Sequence, residues 1–466
     1  MIMDKPRDNE ELELRIESLA FGGRGVARRS GFVIFVDGAL PGDLVRARII
    51  RSRRSYAEAR ALEVIEASEA RIKPECRHFG VCGGCAWQTL EYDTQLKYKQ
   101  QQVRECLSRI GGLQEFEMDP PLGAGSIWRY RNKVEYSFAG DGDDLELGFH
   151  LPGDWQRVLD VRDCRLHSTI TNGIRNFVRE FASASGAGAY TQRSGRGFWR
   201  HLVLREAAHT GEIMVKLVTG PGNFPDMERF AGEIVAAFPQ VASLLWSVNP
   251  GQAAVATGFP FRVLAGRDHI VESIGGLELE VSPSSFLQTN TVMAGKLYEK
   301  ALDYADLAGN ELVYDLYSGI GSIALFFSRR CREVFGVEIV AEAAAAASIN
   351  ARRNRINNAS FRQGKVRAVL KEILETGGGP AGGGPAARLP DLVILDPPRA
   401  GASRKEMERV IGLAPDRLVY VSCNAATLAA NAAQLAEEGY RLIRAGAVDM
   451  FPHTPHIEVV ASFEKI

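Results

Sequence analysis

The sequence predicts a Rossmann-like, doubly wound α/β domain in its C-terminal part. An OB-like β-barrel comes first, and an α+β region carrying a metal cluster lies between them. Three observations carry this reading. Apolar strand-like runs alternate with helical ones beyond residue 276. Short β-like runs crowd the stretch from Leu12 to Glu66. Cysteines then follow at Cys76, Cys82 and Cys85 with glycines between them. At 466 residues the chain is too long for a single compact core. The expected divisions are 1–68, 69–275 and 276–466, with the helical stretch 91–125 of the second region free to pack on the third.

The elements follow in order. The first ten residues are polar and are expected to fray. Leu12–Ile16 alternates, and Phe32–Val36 and Leu44–Ile49 are further strands. Phe21-Gly22-Gly23 and Pro41-Gly42-Asp43 supply turns between them. In the second region Glu91–Ile110 reads as a helix, and Leu145–Phe149 and Glu212–Leu217 read as strands. In the third, Leu312–Leu316, Glu333–Val337, Leu392–Leu395 and Leu418–Val421 read as parallel strands buried on both faces. The alanine-rich Ala341–Arg353 is a helix. Thr376–Ala387, nearly all Gly, Pro and Ala, predicts a disordered surface loop.

Composition is that of a globular protein. A net charge of −1 does not announce a nucleic-acid binder, but whole-chain charge averages over faces. Arg46, Arg48, Arg51, Arg53, Arg54 and Arg60 cluster in the barrel region, nearly unopposed by acids. Trp128–Lys133 and Phe198–His201 mix cations with aromatics. Cations hold phosphates and aromatics stack unpaired bases, so the three clusters together favour RNA, although each alone suits a solvated face. No stretch approaches the length of a membrane span, and the start lacks the apolar core of a secretory signal. The chain reads as cytoplasmic. Its seven cysteines are then thiols, metal ligands or nucleophiles rather than disulfides.

Four motifs carry chemistry. The C-x5-C-x2-C group of Cys76, Cys82 and Cys85 suits a metal, because glycines let backbone amides approach the sulfurs. A fourth ligand would come from Cys106, Cys164 or His78, and spacing alone does not choose between zinc and a four-iron cluster. Asp315–Gly321 follows a strand and precedes the apolar helix Ile323–Phe327. Gly319 and Gly321 let a ligand meet the backbone, and Glu338 closes the next strand, where a carboxylate accepts from ribose hydroxyls. With Ala324 the loop also fits the loose dinucleotide pattern, so nicotinamide and flavin stay open. In Asp396-Pro397-Pro398-Arg399 the prolines hold a carboxylate at a strand's carboxyl end; an ordinary turn reads the same way. Cys423 ends the apolar run Val419–Ser422, where an open α/β sheet presents a nucleophile, or where a buried structural thiol sits. Near the C-terminus Glu458 precedes a buried strand in an aromatic and proline-rich setting that favours a raised pKa and a base; His453 reads as structural.

In these motifs the chain resembles the RNA uracil-C5 methyltransferases, most closely the branch with an N-terminal TRAM domain and an iron–sulfur cluster typified by the 23S ribosomal RNA enzymes. Ser284–Asn290 resembles that family's cofactor-side loop, and the later motifs occur in family order. The resemblance implies an S-adenosylmethionine-dependent methyltransferase domain, with Gln288, Tyr317, Glu338 and Asp396 lining the cofactor and base pocket. It implies Cys423 as nucleophile and Glu458 as proton-abstracting base. It further implies a [4Fe-4S] cluster, rather than zinc, on Cys76, Cys82, Cys85 and Cys164. The implied partner is RNA, with 23S rRNA favoured over tRNA, and the protein is expected to act as a monomer with no membrane and no obligate protein partner. The chain departs from the family at Ser318, Lys365 and Ala425, where Cys, an acid and Pro are usual. Competing readings are methylation at another atom, a nonenzymatic RNA-binding module with a cluster, and a nicotinamide oxidoreductase with an iron–sulfur relay.

Overall fold

The computed structural model describes residues 5–223, 226–376 and 389–466. Most of the Thr376–Ala387 loop therefore lies outside the described residues, and Thr376 itself ends a helix.

The N-terminal sheet contains β1 (Glu11–Arg15), β2 (Ser18–Leu19), β3 (Gly25–Arg29), β4 (Phe32–Asp37), β5 (Leu44–Ser52) and β6 (Tyr56–Glu66). Its order is β1-β5-β6-β4-β3-β2. The chain from Glu11 to Leu19 pairs with β5 through its first half and with β3 through its second, which curls the sheet closed. Alternate residues such as Leu14, Ile34, Val36, Val45 and Ile49 fill the barrel. Residues 1–4 lie outside the described residues, and Asp8 and Asn9, just ahead of β1, are tied down rather than frayed. Ser52 N–H donates to Asp8 Oδ1 at 2.6 Å, and Asn9 N–H donates to the Ile49 carbonyl at 2.8 Å.

The chain then forms α1 (Tyr92–Arg109) and β7 (Glu117–Met118) before entering a seven-stranded sheet. That sheet holds β8 (Lys133–Ala139), β9 (Glu146–Leu151), β10 (Asp154–Asp160), β11 (Trp199–Glu206), β12 (Ile213–Thr219), β13 (Val241–Val248) and β14 (Phe261–Gly266), in the order β10-β9-β8-β11-β12-β13-β14. Helices α2 (Thr169–Ala184) and α3 (Met227–Ala237) bury Ile174, Val178, Phe230 and Ile234 against one face. A hairpin of β15 (Ile270–Ile274) and β16 (Leu277–Val281) leads onward.

The last sheet has eight strands: β17 (Leu312–Leu316), β18 (Glu333–Glu338), β19 (Ala359–Gln363), β20 (Leu392–Leu395), β21 (Arg417–Ser422), β22 (Tyr440–Val448) and β23 (Glu458–Lys465), joined by β7. The order is β19-β18-β17-β20-β21-β23-β22-β7, parallel from β19 to β21. Helices α4 (Thr291–Ala305), α5 (Ser322–Phe327) and α6 (Ala341–Arg353) cover one face. The other face is covered by α1, α7 (Val366–Thr376), α8 (Arg404–Gly412) and α9 (Ala425–Glu437). Winding proceeds one way from β17 and resumes in the other direction at β20, so the strand order reverses between them. That switch point is where such sheets bind ligands, outside the strands' carboxyl ends.

Candidate active site

Asp315 and Tyr317 close β17, Glu338 closes β18, Asp396 follows β20 and Cys423 follows β21. Strand register sets them level: Leu316 stands beside Val337 and Leu395, and Leu395 beside Tyr420. Ser422 pairs with Val459, so Glu458 lies across the ladder from Cys423. Residues more than a hundred positions apart therefore share one rim.

The glycine turn is built by conformation. Tyr317 adopts φ +72°, which costs a non-glycine residue about 1–3 kcal/mol and persists only where the surroundings impose it. Gly321 has φ +84°, and a Cβ there would meet the Phe361 ring at 2.9 Å. The turn is braced from β18, where Glu338 Oε2 accepts from Gly319 N–H at 2.9 Å and Oε1 from Val340 N–H at 2.7 Å. A narrow cavity opens beside it, lined by Gln288, Tyr298, Asp315, Tyr317, Gly319 and Asp396. Asp315 and Tyr298 are additions to the sequence reading. The signal for Asp315 was an acid inside an otherwise apolar buried strand, whereas Tyr298 arrives from α4 with no local signal.

The electrostatics are unusual. Burial, then the neighbouring Asp396, pushes the Asp315 carboxyl up to about 8. Asp396 opens partly onto the cleft, yet the surrounding protein desolvates it and raises it to about 7. Burial and then Asp396 hold Glu458 well above the carboxylate range. Burial, then Glu458 and Asp396, pushes the Cys423 thiol up to about 11, while Arg399 pulls the other way. Asp315 Oδ1, Ser318 Oγ and Glu458 Oε2 are buried without hydrogen-bond partners. Buried polar atoms are normally paired, so these atoms mark room for a ligand. Crowded, neutralised carboxyls suit a cationic one, whose charge would let them ionise.

Asn424 secures the thiol's turn. Its side chain accepts from Ala426 N–H at 3.1 Å, capping α9, and donates to the Arg399 carbonyl at 3.1 Å. Ala425 is the first helical residue, a position where proline and alanine serve alike. Lys365 is exposed at the start of α7, where its carbonyl accepts from Val369 N–H at 3.0 Å. His453 is structural: it stacks on Trp128 at 3.8 Å and meets Gln95 Nε2 at 3.3 Å.

Cys76, Cys82, Cys85 and Cys164 line one cavity of about 490 Å³, with His78 and Arg131 in its wall. All four are free thiols. Gly84 N–H donates to Cys82 Sγ at 3.3 Å. Cys106 lies elsewhere, buried between α1 and the catalytic sheet. Among the described residues no group of three or more His, Cys, Asp or Glu is placed to hold a metal ion. The cavity also touches Phe451, Thr454 and His456, the segment leading into Glu458.

Three expected RNA-facing clusters need correction. Arg46 pairs with Glu63 and Arg48 with Glu11, so only part of the barrel's arginine cluster is unopposed. Phe198–His201 is largely buried in the central sheet rather than spread on a surface: Arg200 donates to the carbonyls of Asn249, Gly251 and Ala253, and only Arg200 and His201 of this run reach the wall of a cavity. In Trp128–Lys133, Tyr130 is buried with its hydroxyl on the Pro452 carbonyl at 3.0 Å, and Asn132 donates to the Gln288 carbonyl at 3.0 Å. Those residues join the central region to the catalytic one.

Residues 7–62 match the TRAM domain family, and residues 267–372 and 388–466 match the tRNA (Uracil-5-)-methyltransferase family. An "Uncharacterized RNA methyltransferase" of Bacteroides thetaiotaomicron is 39% identical over 464 residues, spanning 96% of this chain and all of that one. Its counterpart in Chlorobaculum tepidum is 38% identical, over 93% and 92% of the two chains. The crystal structure of Pyrococcus abyssi tRNA (uracil-54, C5)-methyltransferase in complex with S-adenosyl-L-homocysteine has 28% identity and a TM-score of 0.75, covering 97% of this chain and 100% of that one. Fold, switch-point pocket and relatives together define an S-adenosylmethionine-dependent RNA methyltransferase. The chain belongs to the RNA (uracil-5-)-methyltransferase family, in a form that carries an N-terminal TRAM domain. No helix among the described residues is long and apolar enough to cross a membrane.

Proposed function

We propose that Cys423 is the nucleophile and Glu458 the base in methylation of a uridine C5, and that the RNA is 23S rRNA. The observation that carries the mechanism is the register of β21 against β23, which sets the thiol turn across from a buried carboxyl with an unpaired oxygen. Uracil C5 is a weak nucleophile. Cys423, which is partly open to solvent, first loses its thiol proton to water; the thiolate sulfur then bonds to C6 and sends the C5–C6 π electrons towards O4, giving an enolate with carbanion character at C5. S-adenosylmethionine supplies the electrophilic methyl group that C5 takes. Glu458 then removes the C5 proton, the C5–C6 double bond re-forms and the sulfur leaves with its electron pair. Gln288, Tyr317, Gly319 and Asp396, which line the cavity beside the glycine turn, and Glu338, which braces that turn, would hold the cofactor and the base. The uracil must be unstacked to reach this rim, at a cost of a few kcal/mol in a duplex and less in a loop.

The four free thiols on one cavity fit a [4Fe-4S] cluster better than zinc. A tetrahedral zinc draws its ligands around one ion at about 2.3 Å, whereas a four-iron cluster takes four thiolates spread round a wider cage, which suits four cysteines distributed about one cavity of about 490 Å³. Cys76, Cys82, Cys85 and Cys164 would hold the cluster, and its place against Phe451–His456 gives it a structural role. An iron and sulfide assay on anaerobically purified protein tests this: about four irons per chain supports the cluster, and stoichiometric zinc overturns it.

The ribosomal assignment follows the combination of TRAM domain and four-cysteine centre. A tRNA substrate is the second reading, favoured by the likeness to the Pyrococcus abyssi enzyme over the whole chain. The enzyme would act in the cytoplasm as a monomer. Mapping 5-methyluridine in a deletion strain decides between the RNAs: loss of a 23S rRNA modification supports the first reading, and loss confined to tRNA overturns it.

A further inference from the structure

A second cavity of about 330 Å³ lies in the central region, away from the methyl-transfer rim. It sits where β8 ends beside the β9–β10 hairpin. The cysteine cavity and this one adjoin along β8: Glu135 lines the first and Ser137 the second, about 7 Å further along the strand.

Its lining combines Trp155, Tyr190, His150, His201, Arg193 and Arg200, with no carboxylate among the lining residues. Trp155 is 59% exposed, although an indole of that size is seldom left in water without a use. The β9–β10 ladder is irregular between Asp154 and Val158, and bulges of this kind re-aim side chains. Arg200 is only 3% exposed. Its guanidinium lies 3.8 Å over the Tyr190 ring and donates to three backbone carbonyls. No carboxylate neutralises it, so the cavity wall keeps a positive charge. Arg193 adds another from the short turn in which Thr191 bridges Arg196. His201 meets Ser137 Oγ at 3.3 Å through Nδ1, and burial with the adjacent Arg200 pushes it down to about 4. With Nδ1 engaged by Ser137, the neutral imidazole leaves Nε2 alone, a donor or an acceptor according to the tautomer, for a base edge.

We infer that this cavity binds a second, unstacked nucleotide of the substrate RNA, with the base stacked on Trp155 and its phosphate held by Arg193 and the Arg200 charge. Aromatic platforms beside cations are how single strands are held without dependence on sequence. The inference rests on the RNA reading above. It adds a holding point whose lining shares no residue with the pocket beside the glycine turn.

The test uses full-length protein and a single-stranded oligouridylate. Trp155→Ala should weaken oligouridylate binding about tenfold, in keeping with the value of one stacked base, and remove part of the tryptophan quenching seen on titration. Trp155→Phe should keep most of the affinity, and Arg193→Ala should lose affinity in a salt-dependent way. Affinity for the methyl donor should stay at the wild-type value in all three variants. Wild-type oligouridylate affinity in Trp155→Ala would overturn the inference. The two readings fail separately: Trp155-dependent binding without methyl transfer to any RNA would sink the enzymatic reading alone, and methyl transfer with RNA affinity indifferent to Trp155 would sink this site alone.

Discussion

The rim of the catalytic sheet is dominated by carboxyls that the fold holds protonated. Asp315 is fully buried, and its folded pKa of about 8 lies above the ordinary unfolded value of about 3.9. The folded state therefore binds the extra proton. The stability this contributes is complete below about pH 4 and is lost as pH rises through 8, by a few kcal/mol. Asp315→Asn can still accept from Ala324 N–H and carries no titratable group. Thermal melts should show the variant more stable than wild type near pH 8 and little different near pH 4; a pH-independent difference would contradict this assignment. The same crowding predicts how the donor binds. A cationic donor in the pocket lined by Asp315 and Asp396 would favour their ionised forms, so binding should release protons, and affinity should rise as pH increases through 7 to 8. Calorimetry in buffers of different ionisation enthalpy reads that release directly. At this scale the placing of Cys423, Glu458 and Asp396 at strand ends was legible because each interrupts an apolar run. The role of Asp315 was not, because its neighbours in space come from β20 and β18.

Elements were legible where burial on both faces forces continuous apolar runs, as in β17, β18, β20 and β21. The allegiance of α1 was harder to read. It buries Gln95, Lys99 and Gln102 as well as Val103 and Leu107, so its core face does not look apolar. Lys99 is instead satisfied by Asp449 at 2.6 Å, with both side chains fully buried, a pairing across 350 residues that no local pattern encodes. Gln95 likewise fixes His453 from the same face, through its Oε1 to His453 N–H at 2.9 Å. The glycine turn is the opposite case, a local requirement with a local signal. Gly321→Ala adds a Cβ where φ is +84° and the Phe361 ring stands 2.9 Å away. Calorimetric affinity for S-adenosylmethionine should fall at least about tenfold, since the strain must be met by moving the loop that carries Gly319. Unchanged affinity would show that the donor does not use this turn.

At the scale of the whole molecule, three bodies meet around the cysteine loop. Ala86 and Trp87 N–H both donate to the His453 carbonyl at 3.0 Å, and Trp87 Nε1 reaches the Gly23 carbonyl of the barrel at 3.4 Å. That junction ties the barrel, through the cysteine loop, to the segment that leads into Glu458. Arg53 and Arg54, exposed at the tip between β5 and β6, have no ion pair among the described residues. Replacing both with alanine should weaken RNA binding and reduce the slope of log affinity against log salt by about 0.7 for each phosphate these arginines neutralise. An unaltered slope would remove the barrel tip from the interface. The account as a whole turns on a transient bond between Cys423 and a pyrimidine ring, and substrate RNA carrying 5-fluorouracil examines it most directly. Fluorine at C5 cannot be removed as a proton, so after methyl transfer the sulfur cannot leave. Incubation with S-adenosylmethionine should give a denaturation-resistant protein–RNA adduct in the wild type, cross-linked through Cys423, and none in Cys423→Ala. Cys423→Ala that turns over unmodified RNA at the wild-type rate, with no adduct from the fluorinated RNA in either protein, would contradict it.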